Sequence, residues 1–267
     1  MGEAVKNEPI GGRTRGLLAL VIGATIVLSA CNPPVAATGD GSAKCEPGDP
    51  DSFFVEQSGL VVVEAESAAV SGDWLVKTSE SGFTGSGYIQ WDGDNHFSTP
   101  GVDILTYRVR IETPGIYRVI WRGRISIGTD NTEHNDAWIR IPDADYFYGE
   151  RSDGGGVTYV YPGGIDEQTD VKQEHETNWD HPSGQSKGGW FKAYLNQTGV
   201  WKWDANTSDH DAHEIFVEFL SPGTYTLEVS GRSYGFAIDR IVLYQVSTYT
   251  ENDATNTGHT QSRTVCK

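Results

Sequence analysis

The sequence predicts an all-β protein, an antiparallel sandwich of jelly-roll type. Three observations carry that reading. Apolar residues alternate with polar ones over many short stretches, the signature of half-buried strands. Two turns of the same chemistry, Thr113-Pro114-Gly115 and Ser221-Pro222-Gly223, each stand before a tyrosine-containing strand. No segment shows helical periodicity over a useful length.

The strands follow in order. Leu60 to Glu66 (LVVVEAE) is a β-branched run with acids only at its end. Gly87 to Trp91 is short and aromatic. Ile104 to Glu112 alternates, placing Leu105, Tyr107, Val109 and Ile111 on one face and Thr106, Arg108 and Arg110 on the other. Ile116 to Ile125 sets Tyr117, Val119 and Trp121 inward and Arg118, Arg122 and Arg124 outward. Asp136 to Ile141, Gly189 to Leu195, Glu214 to Leu220 and Thr224 to Gly231 follow. Ala237 to Val246 closes the domain. Between Pro142 and Gly189 the alternation dissolves into a Gly-, Asp- and aromatic-rich stretch. It reads as one long loop insertion with a functional role.

The ends of the chain are read separately. Lys6, Arg13 and Arg15 precede an apolar segment from Leu17 to Ala30, too short for a membrane span and of the length of a signal h-region. It ends Leu28-Ser29-Ala30-Cys31, which resembles the lipobox of bacterial lipoproteins. Residues 1–30 are thus expected to be a signal peptide, and Cys31 a lipidated N-terminus bearing acyl chains such as palmitate. Asn32 after the cysteine resembles outer-membrane sorting, facing the periplasm or cell surface. Residues 31–50, rich in Pro and Gly, read as a flexible tether, and residues 51–267 as one domain. Cys45 and Cys266 flank that domain. In an exported protein they are expected to form a disulfide, which would tie the two ends together.

The formal net charge is −17, from 37 acidic and 20 basic residues. That disfavours nucleic acid, whose phosphates call for a basic surface. Glu64 and Glu66 lie two apart on a strand, so both carboxylates point the same way about 7 Å apart. Like charges so close need a cation, or arginine partners, or solvent. The apolar run Phe236 to Tyr244 carries one acid, Asp239, and is expected to pair with the first strand so that Asp239 completes the cluster.

A family resemblance enters with these residues. The strand ending Glu64-Ala65-Glu66, the motif Phe83-Thr84-Gly85-Ser86-Gly87-Tyr88-Ile89 and the terminal Ala237-Ile238-Asp239-Arg240-Ile241 resemble the galactose-binding-like β-sandwiches, with carbohydrate-binding module families 6 and 35 the nearest. The resemblance spans about residues 58–246 and is weakest in the middle loop. It implies a structural Ca²⁺ held by Glu64, Glu66 and Asp239. The family often places an asparagine two residues before the terminal aspartate. Here that position is Ala237, which implies a shifted sugar site.

A sugar surface needs exposed aromatic rings beside polar side chains. The candidates are Asn135, Asp136, Trp179, Trp190, Trp201 and Arg232, with Trp121 and Trp138 assigned to the core. The acid–histidine clusters Glu174-His175-Glu176 and Asp209-His210-Asp211-Ala212-His213 lack a regular element to present them as metal ligands. The pattern Gly-x-Ser-x-Gly occurs at Gly184–Gly188 and Gly231–Gly235, with no helical pattern after either to make a nucleophile elbow, and no phosphate-binding glycine loop occurs. The expectation is a monomeric, non-catalytic, calcium-stabilised module that binds polysaccharide or oligosaccharide and meets the membrane only through its lipid. The alternatives are a protein-interaction or adhesion module, and a polysaccharide lyase or hydrolase.

Overall fold

The structure, a computed structural model, describes residues 45–164, 180–184 and 186–266. All belong to the compact unit Gly41–Lys267. The expectations for the signal peptide, Cys31 and Trp179 lie outside the described residues.

In chain order the strands are β1 (Ser52–Val55), β2 (Leu60–Glu64), β3 (Trp74–Lys77), β4 (Tyr88–Trp91), β5 (Leu105–Ile111), β6 (Gly115–Ile125), β7 (Asp136–Arg140), β8 (Tyr146–Asp153) and β9 (Gly156–Val160). There follow β10 (Ser186–Lys187), β11 (Trp190–Tyr194), β12 (Lys202–Asp204), β13 (Asn206–Thr207), β14 (His213–Phe219), β15 (Gly223–Ser230), β16 (Phe236–Gln245) and β17 (Thr264–Cys266). One four-residue helix, α1 (Glu251–Ala254), stands before the last strand.

Two curved layers result. In one, β17 pairs with β1, β1 with β5, β5 with β15, β15 with β7 and β7 with β11. In the other, β16 is central, with β2 and β4 along one edge and β6 along the other; β6 leads to β14, β8 and β9. All these pairings are antiparallel except β1 with β5. The layers join where Tyr194 of β11 meets Asn206 of β13 and Asn206 meets Glu214 of β14. The interior between them is apolar, with Leu105, Val109, Val119, Trp121, Ile139, Phe191, Leu227 and Ile241 in one buried cluster.

The all-β class stands, and the reason is visible in the burial patterns. β5 alternates buried and accessible residues along its whole length, as its sequence predicts. β2 is buried on both faces. Its second face, Leu60 and Val62, packs with Ile120, Val242 and Tyr244, and Ala254 of α1 joins that cluster. A strand buried on both sides reads as a continuous apolar run, which is how LVVVE reads.

Several expectations are corrected. The Pro142–Gly189 stretch is not one loop: β8 and β9 form a hairpin within it, with Tyr146 and Tyr148 packed on Phe216. Ala237–Val246 is not the last element; β17 returns to pair with β1. Arg118 does not face solvent. It is 1% exposed and donates to the carbonyls of Val119, Ala205 and Ile215. Glu66 is not on the strand, which ends at Glu64; Ala65–Ser67 is a turn of 3₁₀ helix. The Cys45–Cys266 disulfide is present, closing the domain where its first and last strands meet.

Candidate functional site

The acidic cluster is built by the loop before β4. Thr84 N donates to Asp239 Oδ1 at 2.8 Å and Thr84 Oγ1 to Glu64 Oε2 at 2.7 Å. Ser86 N donates to Glu66 Oε1 at 2.7 Å. Gly85, at φ +63°, lies so close that an added Cβ would meet Glu66 Oε1 at 2.4 Å, so a side chain here would strain the backbone and displace the Glu66 carboxylate. Pairing of β2 with β16 sets Arg240 opposite Glu64, and its guanidinium bonds Glu64 Oε1. Arg122 holds Asp239 Oδ2. Two of the three carboxylates thus have arginine partners, the alternative the sequence left open beside a cation. Glu66 Oε2 is buried with no hydrogen-bond partner. Burial pushes the carboxyls of Glu66 and Asp239 above their ordinary range, and the Glu64 charge adds to both. Among the described residues no three His, Cys, Asp or Glu side chains are set as a ready metal cage. The hard-cation donor that remains open is Glu66 Oε2.

A separate cleft of about 780 Å³ opens among the β6–β7 loop, β11, the loop before β14 and the turn before β16. Its walls include Asn135, Asp136 and Arg232, three of the sequence-predicted residues, together with Phe97, Lys192 and Asp209. Arg232 is buried. Its guanidinium bonds Asp136 and lies 5.0 Å from the ring centroids of both Phe97 and Trp138. Ser233 Oγ donates to the other Asp136 oxygen. Asn135 Nδ2 donates to the Leu195 carbonyl at 3.0 Å.

Lys192, almost wholly buried, ion-pairs with Asp209 and sits 5.4 Å from the Tyr194 ring centroid. Tyr194 donates to the Ser208 carbonyl at 3.0 Å, and burial pushes its phenol up to about 12, so it stays a donor at neutral pH. Three non-glycine residues at or beside the cleft take positive φ: His134 at 55°, Ser208 at 67° and His210 at 60°. Such backbone is held only by its surroundings and gathers at binding sites.

Phe97 is the residue the sequence reading missed. It is 51% exposed, lines the cleft and presents a ring braced by Arg232. Its signal was faint: a lone aromatic in a polar loop outside any strand pattern. Trp138 and Trp121 are core, as expected. Trp190 is 3% exposed beneath the Arg140 guanidinium, 4.4 Å from its centroid, and offers no free ring face. Trp201 packs edge-on against Tyr88 at 5.0 Å and bonds Ser81, by the acidic cluster's loop, and does not line the cleft.

No family model and no curated protein sequence matches the chain. Solved structures do. A Podospora anserina GH26-CBM35 β-(1,4)-mannanase matches at TM-score 0.42 and 15% identity, over 73% of this chain and 29% of that one. A Paenibacillus sp. cycloisomaltooligosaccharide glucanotransferase in complex with cycloisomaltoheptaose matches at 0.36 and 16%, over 71% and 19%. A ruminal GH26 endo-β-1,4-mannanase matches at 0.36 and 10%, over 74% and 28%. The chain therefore spans less than a third of each. The expectation that this protein is not an enzyme is corrected on this finding: these neighbours are all carbohydrate-active enzymes, and a binding-only reading is not carried forward.

Proposed function

We propose that the protein binds carbohydrate in the cleft beside Phe97. The observation that carries this is a half-exposed ring braced from behind by a buried cation. A pyranose presents an apolar face to such a ring and hydroxyls to the polar walls. Asp209, Asn135, Asn196 and His210 line those walls with both donors and acceptors. The saccharide-active neighbours point to the same ligand class. Calorimetric titration with mannan-, glucan- and galactan-derived oligosaccharides tests it. Binding that Phe97→Ala weakens supports the reading; heats indistinguishable from buffer dilution across the panel end it.

Two further parts belong to the reading. Ca²⁺ is proposed at Glu64, Glu66 and Asp239, supported by the unpartnered Glu66 Oε2 and the convergence of the three carboxylates on one loop. Lipid anchoring at Cys31 to a bacterial outer membrane is proposed from the Leu28-Ser29-Ala30-Cys31 pattern. Labelling with a radioactive fatty acid that is lost in Cys31→Ser checks the anchor.

A further inference from the structure

The turn that walls the Phe97 cleft also opens a second hollow. Ser233 lines the cleft, and the next residue, Tyr234, lines a groove of about 550 Å³ with Asp73, Asp92, Asp94 and Asn95. Asn95 belongs to both walls. The ring of His134, which also lines the cleft, meets the Tyr234 ring edge-on with centroids 6.5 Å apart. The two hollows are therefore neighbours on one surface, with Asn95, His134 and Tyr234 at their border.

Tyr234 has a fixed backbone and a free side chain. Its N donates to Asn95 Oδ1 at 2.9 Å, and its carbonyl accepts from His134 Nδ1 at 2.8 Å. The turn around it is tied to the loop after β4 as well: Gly235 N donates to the Trp91 carbonyl and His96 N to the Arg232 carbonyl, both at 2.8 Å. Yet Tyr234 is 41% exposed, and its hydroxyl makes no hydrogen bond among the described residues. Asn95 Nδ2 and the carboxylates of Asp73 and Asp94 make none there either, while Asp92 pairs with Lys77 at 2.8 Å. A ring whose backbone is already held loses little freedom when a ligand lands on it.

We propose that the cleft and the groove form one track, and that it takes a chain of several neutral sugar units, one unit on Phe97 and a later one on Tyr234. The inference rests on the carbohydrate reading of the cleft and adds the length and charge of the ligand. Each hollow alone falls within the range of about 300–1,000 Å³ usual for a small-molecule site; together they exceed it, which suits a chain better than a single sugar. The Tyr234 ring offers an apolar face with a polar tip. The open carboxylates of Asp73 and Asp94 accept from sugar hydroxyls, and Asn95 Nδ2 and the Tyr234 hydroxyl donate to them. Three carboxylates against one lysine make this end of the track electronegative, so a uronate or sulfated chain is repelled from it.

Calorimetric titration of the whole protein with a length series tests the proposal. The probes are mannan-, glucan- and galactan-derived oligosaccharides of two to six units, with oligogalacturonates of the same lengths as the charged comparison. In at least one neutral series the affinity should rise tenfold or more from the shortest to the longest member. That gain should be lost in Tyr234→Ala and retained in Tyr234→Phe, which keeps the ring, and the oligogalacturonates should show none. Melting at the native temperature shows that both variants are folded. Affinity that stays flat with length overturns the proposal and leaves the Phe97 cleft standing. A gain that survives in Tyr234→Ala, or that is equal for oligogalacturonates, also overturns it. No heat from any probe at any length ends the proposal and the cleft reading together.

Discussion

Arg122 Nη1 lies 2.6 Å from Asp239 Oδ2, at the point where β16 slips one residue in its register against β6. The bulge turns an acid that would otherwise sit in a ladder of apolar residues toward the loop 83–87. Asp239 is wholly buried and Arg122 partly so, which makes the pair a structural anchor for the acidic cluster.

Calcium is expected to act on that cluster through Glu66. Added Ca²⁺ should raise the melting temperature of the native protein; a ligand at a hundred times its Kd contributes about 2.7 kcal/mol. In Glu66→Gln the response should vanish, because the open Oε2 is replaced by an amide. Differential scanning fluorimetry with and without chelator measures it, and an identical calcium response in both proteins would count against the site.

Phe97→Ala should weaken saccharide binding about 2- to 13-fold, the worth of one aromatic contact at about 0.5–1.5 kcal/mol. Because the ring is half-exposed, the melting temperature should hardly move. A large fall in stability with unchanged affinity would reverse the assignment, making Phe97 a packing residue.

His213 gives a pH dependence of known sign. It is fully buried, with Nδ1 2.6 Å from the Asp211 carbonyl and Nε2 3.1 Å from Thr158 Oγ1. Burial, then the Arg151 charge, holds its imidazole below the ordinary 6.5. The unfolded chain therefore takes up the proton first. The stability this contributes is fully present above about 6.5 and is lost as pH falls toward the lowered folded value. Melting curves of native protein and His213→Gln should converge as the solution is acidified through that window. Parallel curves would show that another group sets the pH response.

Reduction of Cys45–Cys266, or its replacement by serines, should cost about 2–5 kcal/mol, since the bridge spans 221 residues and constrains nearly the whole unfolded domain. For a domain of this size that is a fall of about 5–15 °C in melting temperature. Calorimetry with and without reductant checks it. An unchanged transition would mean that the β1–β17 pairing holds the ends without the bond.

The sequence by itself determined the all-β class, most strand positions, the two Pro-Gly turns and the meeting of β2 with the strand that carries Asp239; the turns are not hairpins, since each carries the chain from one layer to the other, β5 to β6 and β14 to β15. Those features are local: burial on one face imposes a period of two, and Pro and Gly fix the turns. It missed the β8–β9 hairpin, whose strands carry little alternation. Arg118 shows why local pattern is not enough. Its position reads as outward, yet the outer face of β6 is itself covered, and the carbonyls of Val119, Ala205 and Ile215 receive the guanidinium. Only the tertiary structure decided which partners the carboxylates take and which residues share the cleft. Arg232 and Asp136 lie 96 residues apart, and Phe97 stands on a third segment. No spacing in the chain encodes their meeting, because it follows from the pairing of β7 with β11 and β15, which sets loops from distant parts of the sequence side by side.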